Sequence, residues 1–119
     1  MYSAQVLDHF QNPRNAGDVV AADAVAEMEN PVCGDVLRLS VKMDSGRIAE
    51  IRFKAKGCVP AIACASALTE LARGKTVNEA RALDRDLLIA AVGALPQAST
   101  HAAQLALDVL SAAMRQLGG

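Results

Sequence analysis

The chain has 119 residues, 52% of them apolar, 3% aromatic, and a net charge of −1. That is enough for one domain, spanning 1–119, with a core of Leu, Val, Ile, Met and closely packed Ala, and too little for a second. Twelve basic against thirteen acidic residues excludes a chain built to coat nucleic acid, and the basic cluster Arg47, Arg52, Lys54 and Lys56 reads as the solvated face of a strand. No apolar run is long enough to span a membrane, and the first ten residues carry no signal pattern. A cytoplasmic protein is expected. Three cysteines, Cys33, Cys58 and Cys64, then read as thiols, ligands or packing, not as a disulfide framework.

The predicted elements begin with a short helix over 3–10, capped by Ser3, with Val6, Leu7 and Phe10 on one face. His9 belongs to its end. The turn-forming stretch 11–17 stops it. A weaker strand runs over 24–29. Two segments then alternate with period two. In 36–43, Leu37, Leu39, Val41 and Met43 oppose Arg38, Ser40 and Lys42; in 47–54, Ala49, Ile51 and Phe53 oppose Glu50, Arg52 and Lys54. Asp44-Ser45-Gly46 between them is a hairpin turn.

Beyond Gly57 the period becomes helical. Pro60 suits a first turn. Ile62, Leu68 and Leu71 with several alanines form a packing face, and Gly74 sits just past the end. Thr76-Val77-Asn78-Glu79 has the capping-box spacing. Asp84 or Asp86 starts a further helix, and Ser99 or Thr100 caps the last, where Leu107, Leu110, Met114 and Leu117 form one stripe. Strands first and helices after is an α+β pattern: a small antiparallel sheet with helices on its dry face.

Four residues at element boundaries are candidates for chemistry: Cys33, Asp35, Cys58 and His101. Cys33 stands in the turn Asn30-Pro31-Val32-Cys33-Gly34-Asp35, which exposes a thiol and lets Asp35 approach it. Cys58 stands where the sheet hands over to a helix, and the positive end of a helix dipole favours thiolate. His101 falls in the first turn of the last helix. If these loops meet, two thiolates, an imidazole and a carboxylate make a tetrahedral set for zinc or a thiolate-poor site for an iron–sulfur cluster. The carboxylate closes the shell, which argues against a zinc hydrolase. Each residue also has a plain reading: buried thiol, surface histidine, turn aspartate. No C-x-x-C pair is present, and spacing alone does not bring the four together. Cys64, inside an alanine-rich helix, reads as core.

Several blocks in this order are specific. They are Asp8-His9-Phe10-Gln11-Asn12-Pro13-Arg14-Asn15, Asn30-Pro31-Val32-Cys33-Gly34-Asp35, Phe53-Lys54-Ala55-Lys56-Gly57-Cys58, Ala61-Ile62-Ala63, Gly74-Lys75-Thr76-Val77-Asn78-Glu79-Ala80, and Leu95-Pro96 followed by His101. Together they resemble the IscU family, also found as the N-terminal domain of NifU proteins, nearly end to end. The resemblance implies a three-stranded sheet with packed helices and a scaffold that is not itself an enzyme. Such a scaffold takes sulfur as persulfide from a cysteine desulfurase, builds a transient [2Fe–2S] cluster, passes it to acceptor proteins, and binds zinc at the same place. Carried over residue by residue, Cys33, Asp35, Cys58 and His101 are the ligands. The third family cysteine, which follows the histidine, is Ala102 here, and Leu95-Pro96-Gln97-Ala98-Ser99 lacks the lysine of the segment read by a DnaK-type chaperone. That argues against carrying the chaperone partnership over. The chain is expected as a monomer or homo-oligomer. A zinc-binding or sulfur-relay protein that no longer assembles clusters is the alternative.

Overall fold

In a computed structural model, residues 2–31 and 34–118 are described. The elements run α1 (Ala4–Gln11), β1 (Ala24–Glu29), β2 (Val36–Asp44), β3 (Arg47–Lys56), α2 (Val59–Ala72), α3 (Val77–Arg81), α4 (Arg85–Ala91), a 3₁₀ turn (Gln97–Ser99) and α5 (Thr100–Gln116). The sheet is antiparallel in the order β1-β2-β3. α5 lies over β1 and β2, α2 over β3 and against α5, and α1 against α2. The architecture is the expected α+β one.

The turn between β2 and β3 is two residues long, with Ser45 and Gly46 both at positive φ (54° and 78°). Two left-handed positions match the right-handed twist of a hairpin. The register then shifts between Lys42 and Met43: Lys42 faces Glu50, but Met43 faces Ile48. The extra residue is Ala49, and a bulge changes which side chains point inward. Ile48, Ile51 and Phe53 are therefore buried and Ala49 is exposed, which corrects the strict alternation expected of this strand.

On the far face, Lys54 pairs with Asp18, Arg52 with Glu50, and Arg47 with Glu79. Ser40, also on that face, is buried because its hydroxyl accepts the amide of Val19. The outer edge of β3 is closed by the preceding loop: Phe53 N–H donates to Asn15 O, and Gly17 N–H to Phe53 O. An edge paired in this way offers no template for another strand.

Helix starts follow the caps read from sequence. Ser3 Oγ accepts from Val6 N–H, Thr76 and Glu79 form a reciprocal capping box, and Asp84 accepts from Leu87 N–H. Ser99 takes the N-cap position of α5 without a side-chain bond. α2 is buried nearly all round, as a helix wedged between sheet, α1 and α5 must be. In α5 the buried residues are Ala102, Ala103, Leu105, Ala106, Val109, Leu110, Ala113 and Met114; Leu107 and Leu117 lie at the margin.

α1 departs from expectation. Leu7 and Phe10 remain exposed at 40% and 37%, while Val6 and His9 are buried. His9 Nδ1 lies 2.8 Å from Ser66 Oγ on α2, and Nε2 lies 3.6 Å from Glu70. Ser66 Oγ also accepts the amide of Arg14, and Thr69 Oγ1 accepts the side-chain amide of Asn15. The Asn12-Pro13-Arg14-Asn15 block is thus the strap that fastens α1 and the β3 edge to α2, and His9 is part of its buried core, not simply a helix end.

Candidate metal centre

Three of the four candidate residues meet at one end of the sheet. Asp35 ends the β1–β2 connection, where Asn30 N–H donates to Asp35 O and Gly34 N–H to Asn30 O, both within 2.8 Å. Cys58 is the N-cap residue of α2, and His101 lies in the first turn of α5. Their ligand atoms all fall within 4.8 Å of one another. Cys33 lies outside the described residues.

Asp35 organises the cluster. It is 3% exposed, and its two oxygens divide the work. Oδ1 accepts the backbone amide of Cys58 at 3.2 Å; Oδ2 accepts from Cys58 Sγ at 3.4 Å and lies 3.8 Å from His101 Nε2. Gly57 is what permits this. A Cβ built there would stand 2.2 Å from Asp35 Oδ1, inside any tolerable contact, so only glycine lets the carboxylate lie against the β3–α2 junction.

His101 Nδ1 lies 3.0 Å from the carbonyl oxygen of Ala98. A carbonyl only accepts, so Nδ1 carries the proton, and in the neutral ring Nε2 holds the lone pair that points toward Asp35 and Cys58. Fixing a ligand imidazole through its other nitrogen is common in metal sites.

Two of the three spacings suit a tetrahedral ion. With Zn–S near 2.3 Å and Zn–O near 2.0 Å, neighbouring ligand atoms stand about 3.5 Å apart. The Sγ–Oδ2 and Nε2–Oδ2 distances, 3.4 and 3.8 Å, lie close to that value. One soft sulfur, one borderline nitrogen and one hard oxygen suit zinc and iron alike.

The thiol chemistry differs from expectation. Cys58 is exposed as a residue, but partial desolvation of its sulfur pushes the thiol above its ordinary value and the Asp35 carboxylate adds to this, while the backbone amide of Ala61 pulls the other way and does not prevail. Without a cation the site therefore favours the thiol, although Cys58 stands at a helix start; a bound divalent ion reverses that balance. Cys64 is fully buried, and burial pushes its thiol up to about 12. It is packing, as read from sequence. Ala102, where the resemblance places a third cysteine, is buried beside His101.

Comparison with known proteins agrees with this architecture. Residues 1–118 match the NifU-like N terminal domain, and the chain belongs to that family. It is 46% identical over 114 residues to the iron–sulfur cluster assembly scaffold protein IscU 1 of Archaeoglobus fulgidus, covering 96% of this chain and 74% of that one. It is 41% identical over 118 residues to the iron–sulfur cluster assembly scaffold protein IscU of Azotobacter vinelandii, covering 96% and 91%. Among solved structures, a nitrogen-fixing NifU-like protein (N-terminal) from Brucella abortus superposes with a TM-score of 0.83 at 20% identity, over 98% of this chain and 93% of that one, a likeness of fold.

Proposed function

We propose that this chain is an iron–sulfur cluster assembly scaffold that uses Cys33, Asp35, Cys58 and His101 to hold iron and the growing [2Fe–2S] cluster, and releases it to acceptor proteins. The observation that carries this reading is the convergence of Asp35, Cys58 and His101 from three separate elements onto one point. Membership of a family whose named relatives are such scaffolds supports it. The chain's own role is to bind and position, not to catalyse. Sulfur arrives as the persulfide of a cysteine desulfurase. The Cys58 thiolate attacks the outer sulfur, a new S–S bond forms, and the desulfurase thiolate leaves. Cys58 is exposed, as a thiol that must meet a partner's persulfide has to be. Iron at the site draws off the thiol proton. Among the described residues no helix is long and apolar enough to cross a membrane, and the proposed setting is the cytoplasm.

A second reading has one observation in its favour. With Cys64 locked in the core, the chain offers at most two thiols to a metal, and two thiolates, an imidazole and a carboxylate are a closed zinc site. In that reading the protein holds zinc or relays sulfur without building clusters.

Anaerobic reconstitution with Fe²⁺, cysteine and a desulfurase separates the two. Charge-transfer bands with equal iron and sulfide, lost in Cys33→Ala and Cys58→Ala and kept in Cys64→Ala, are expected of the scaffold. Stoichiometric zinc retained through purification, with no cluster formed, refutes it in favour of the second reading.

A further inference from the structure

Beside the metal centre lies a groove of about 510 Å³, within the range of small-ligand sites. His101 is the wall the two share. The rest of the groove is mixed: Met28, Pro31 and Leu105 give it apolar lining. Charges of both signs stand among them, Arg85 from the first turn of α4, Glu29 from the end of β1 and Asp108 from α5, with Thr100 and Gln104 on the same helix. Gln104 Nε2 donates to Asp108 Oδ1 at 2.8 Å, which orients that carboxylate. A guanidinium on one wall and carboxylates on others form a site that recognises a zwitterion: the cation takes a carboxylate, the anions take an ammonium group.

The chemistry of the centre asks for one thing more. Iron–sulfur clusters are held mainly by thiolates. Cys64 is sealed in the core, and Ala102 places a methyl group where the family resemblance puts a thiol. A groove that seats a zwitterion against a thiolate-poor metal site accounts for both facts. We propose that the groove binds a small aminothiol acid, of the class of cysteine and cysteinyl peptides, whose sulfur becomes an external ligand to the metal beside His101. The step is a ligand substitution without redox: the thiol gives its proton to solvent, and its sulfur forms a bond to the metal in place of water or an Asp35 oxygen. The inference rests on the proposed metal-binding role of Cys58 and His101.

Cobalt(II) reports both parts separately, because thiolate ligation gives it an intense sulfur-to-metal band. Cobalt alone is added first, under anaerobic conditions. The band is expected in the wild type and to be halved in Cys58→Ser; no band overturns the metal site and this inference with it. Glutathione is then titrated in. Saturable growth of the band by roughly half is expected as two thiolates become three. Arg85→Glu, compared at equal cobalt occupancy, is expected to raise the glutathione half-saturation about tenfold, or ~1.4 kcal/mol, while leaving the response to 2-mercaptoethanol, which has no carboxylate, unmoved. Cysteine in place of glutathione measures how much of the groove the ligand needs. A cobalt band that glutathione leaves unchanged, or that glutathione and 2-mercaptoethanol raise equally in wild type and Arg85→Glu, overturns the inference and leaves the metal site standing.

Discussion

Gly57→Ala tests the account of the centre at its tightest point. The added methyl group meets Asp35 Oδ1 at 2.2 Å, Cγ at 2.7 Å and Cβ at 3.0 Å. Asp35 is buried, so relief requires moving the carboxylate off the Cys58 amide or opening the β3–α2 junction. Overpacking of this kind costs about 1–3 kcal/mol, and losing a hydrogen bond to a charged group about 1.5–3 kcal/mol. A destabilisation of about 2–5 kcal/mol is expected, read as a drop in the urea midpoint at constant slope. Zinc or cobalt affinity should fall at least tenfold, because Oδ2 is displaced along with Oδ1. Adding Asp35→Ala removes Cγ and both oxygens and leaves only the 3.0 Å contact. The double variant should therefore be more stable than the sum of the singles by about 1–2 kcal/mol. A Gly57→Ala protein within about 0.5 kcal/mol of wild type, or strictly additive singles, refutes the claim that Asp35 is locked against this glycine.

Other outcomes follow from the same structure. Burial and Asp35 both raise the Cys58 thiol, so iodoacetamide labelling of the metal-free protein at Cys58 should rise only above pH 9, and Asp35→Asn should shift that profile to lower pH. Native Cys64, its thiol pushed up to about 12, should resist labelling until the protein unfolds, and Cys64→Ser, which buries a hydroxyl in an apolar core, should cost about 1–3 kcal/mol without altering metal affinity. Burial, helped by Arg14, lowers the His9 value below 6.5. The unfolded chain then binds the proton more readily, so the stabilisation is complete above pH 6.5 and is lost as the pH falls through the folded value. The melting temperature should drop between pH 7.5 and 5.5, and His9→Gln should flatten that dependence; an equal drop in the variant would show that His9 is not the titrating group.

How much of this was legible in the sequence varies with the range of the forces involved. The hairpin and the helix caps at Ser3 and Thr76 rest on interactions between near neighbours and were readable; the start of α4 was narrowed to Asp84 or Asp86, and the strand bounds 24–29 were read from the residue pattern, although its pairing is with residues 36–41. The bulge at Ala49 was not: period two continues through it on paper, and only the demand that Ile48 and Ile51 both face the core reveals the shift. His9 was missed because its partners, Ser66 and Glu70, lie on another helix. A histidine followed closely by Asn-Pro-Arg-Asn, whose Arg14 amide and Asn15 side chain find partners on α2, was the available signal. Cys58 was placed correctly at a helix start, but the dipole argument neglected the desolvation of its sulfur, which raises the thiol most, and the buried carboxylate 3.4 Å away, which adds to it.

The convergence itself came from resemblance, since nothing in spacing ties residue 35 to residue 101. Its physical basis is the order of the elements. β1 and β2 join at the same end of the sheet where β3 runs into α2, and α5 starts beside them after α3 and α4, which pack against the helices α2 and α5. Each candidate ligand is therefore anchored on a different packed unit, and the carboxylate at their centre accepts the amide of the N-cap residue of α2. A metal that takes Oδ2, Sγ and Nε2 clamps three units at once, so ion binding should stabilise the whole fold in proportion to affinity, by about 2.7 kcal/mol at a hundredfold excess over the dissociation constant. Conversely, any event that moves α5 away from the sheet withdraws His101 while leaving Asp35 and Cys58 together through the Oδ1 bond. A metal held there would then lose one nitrogen ligand before its sulfur, an order suited to the proposed role of holding a cluster and surrendering it.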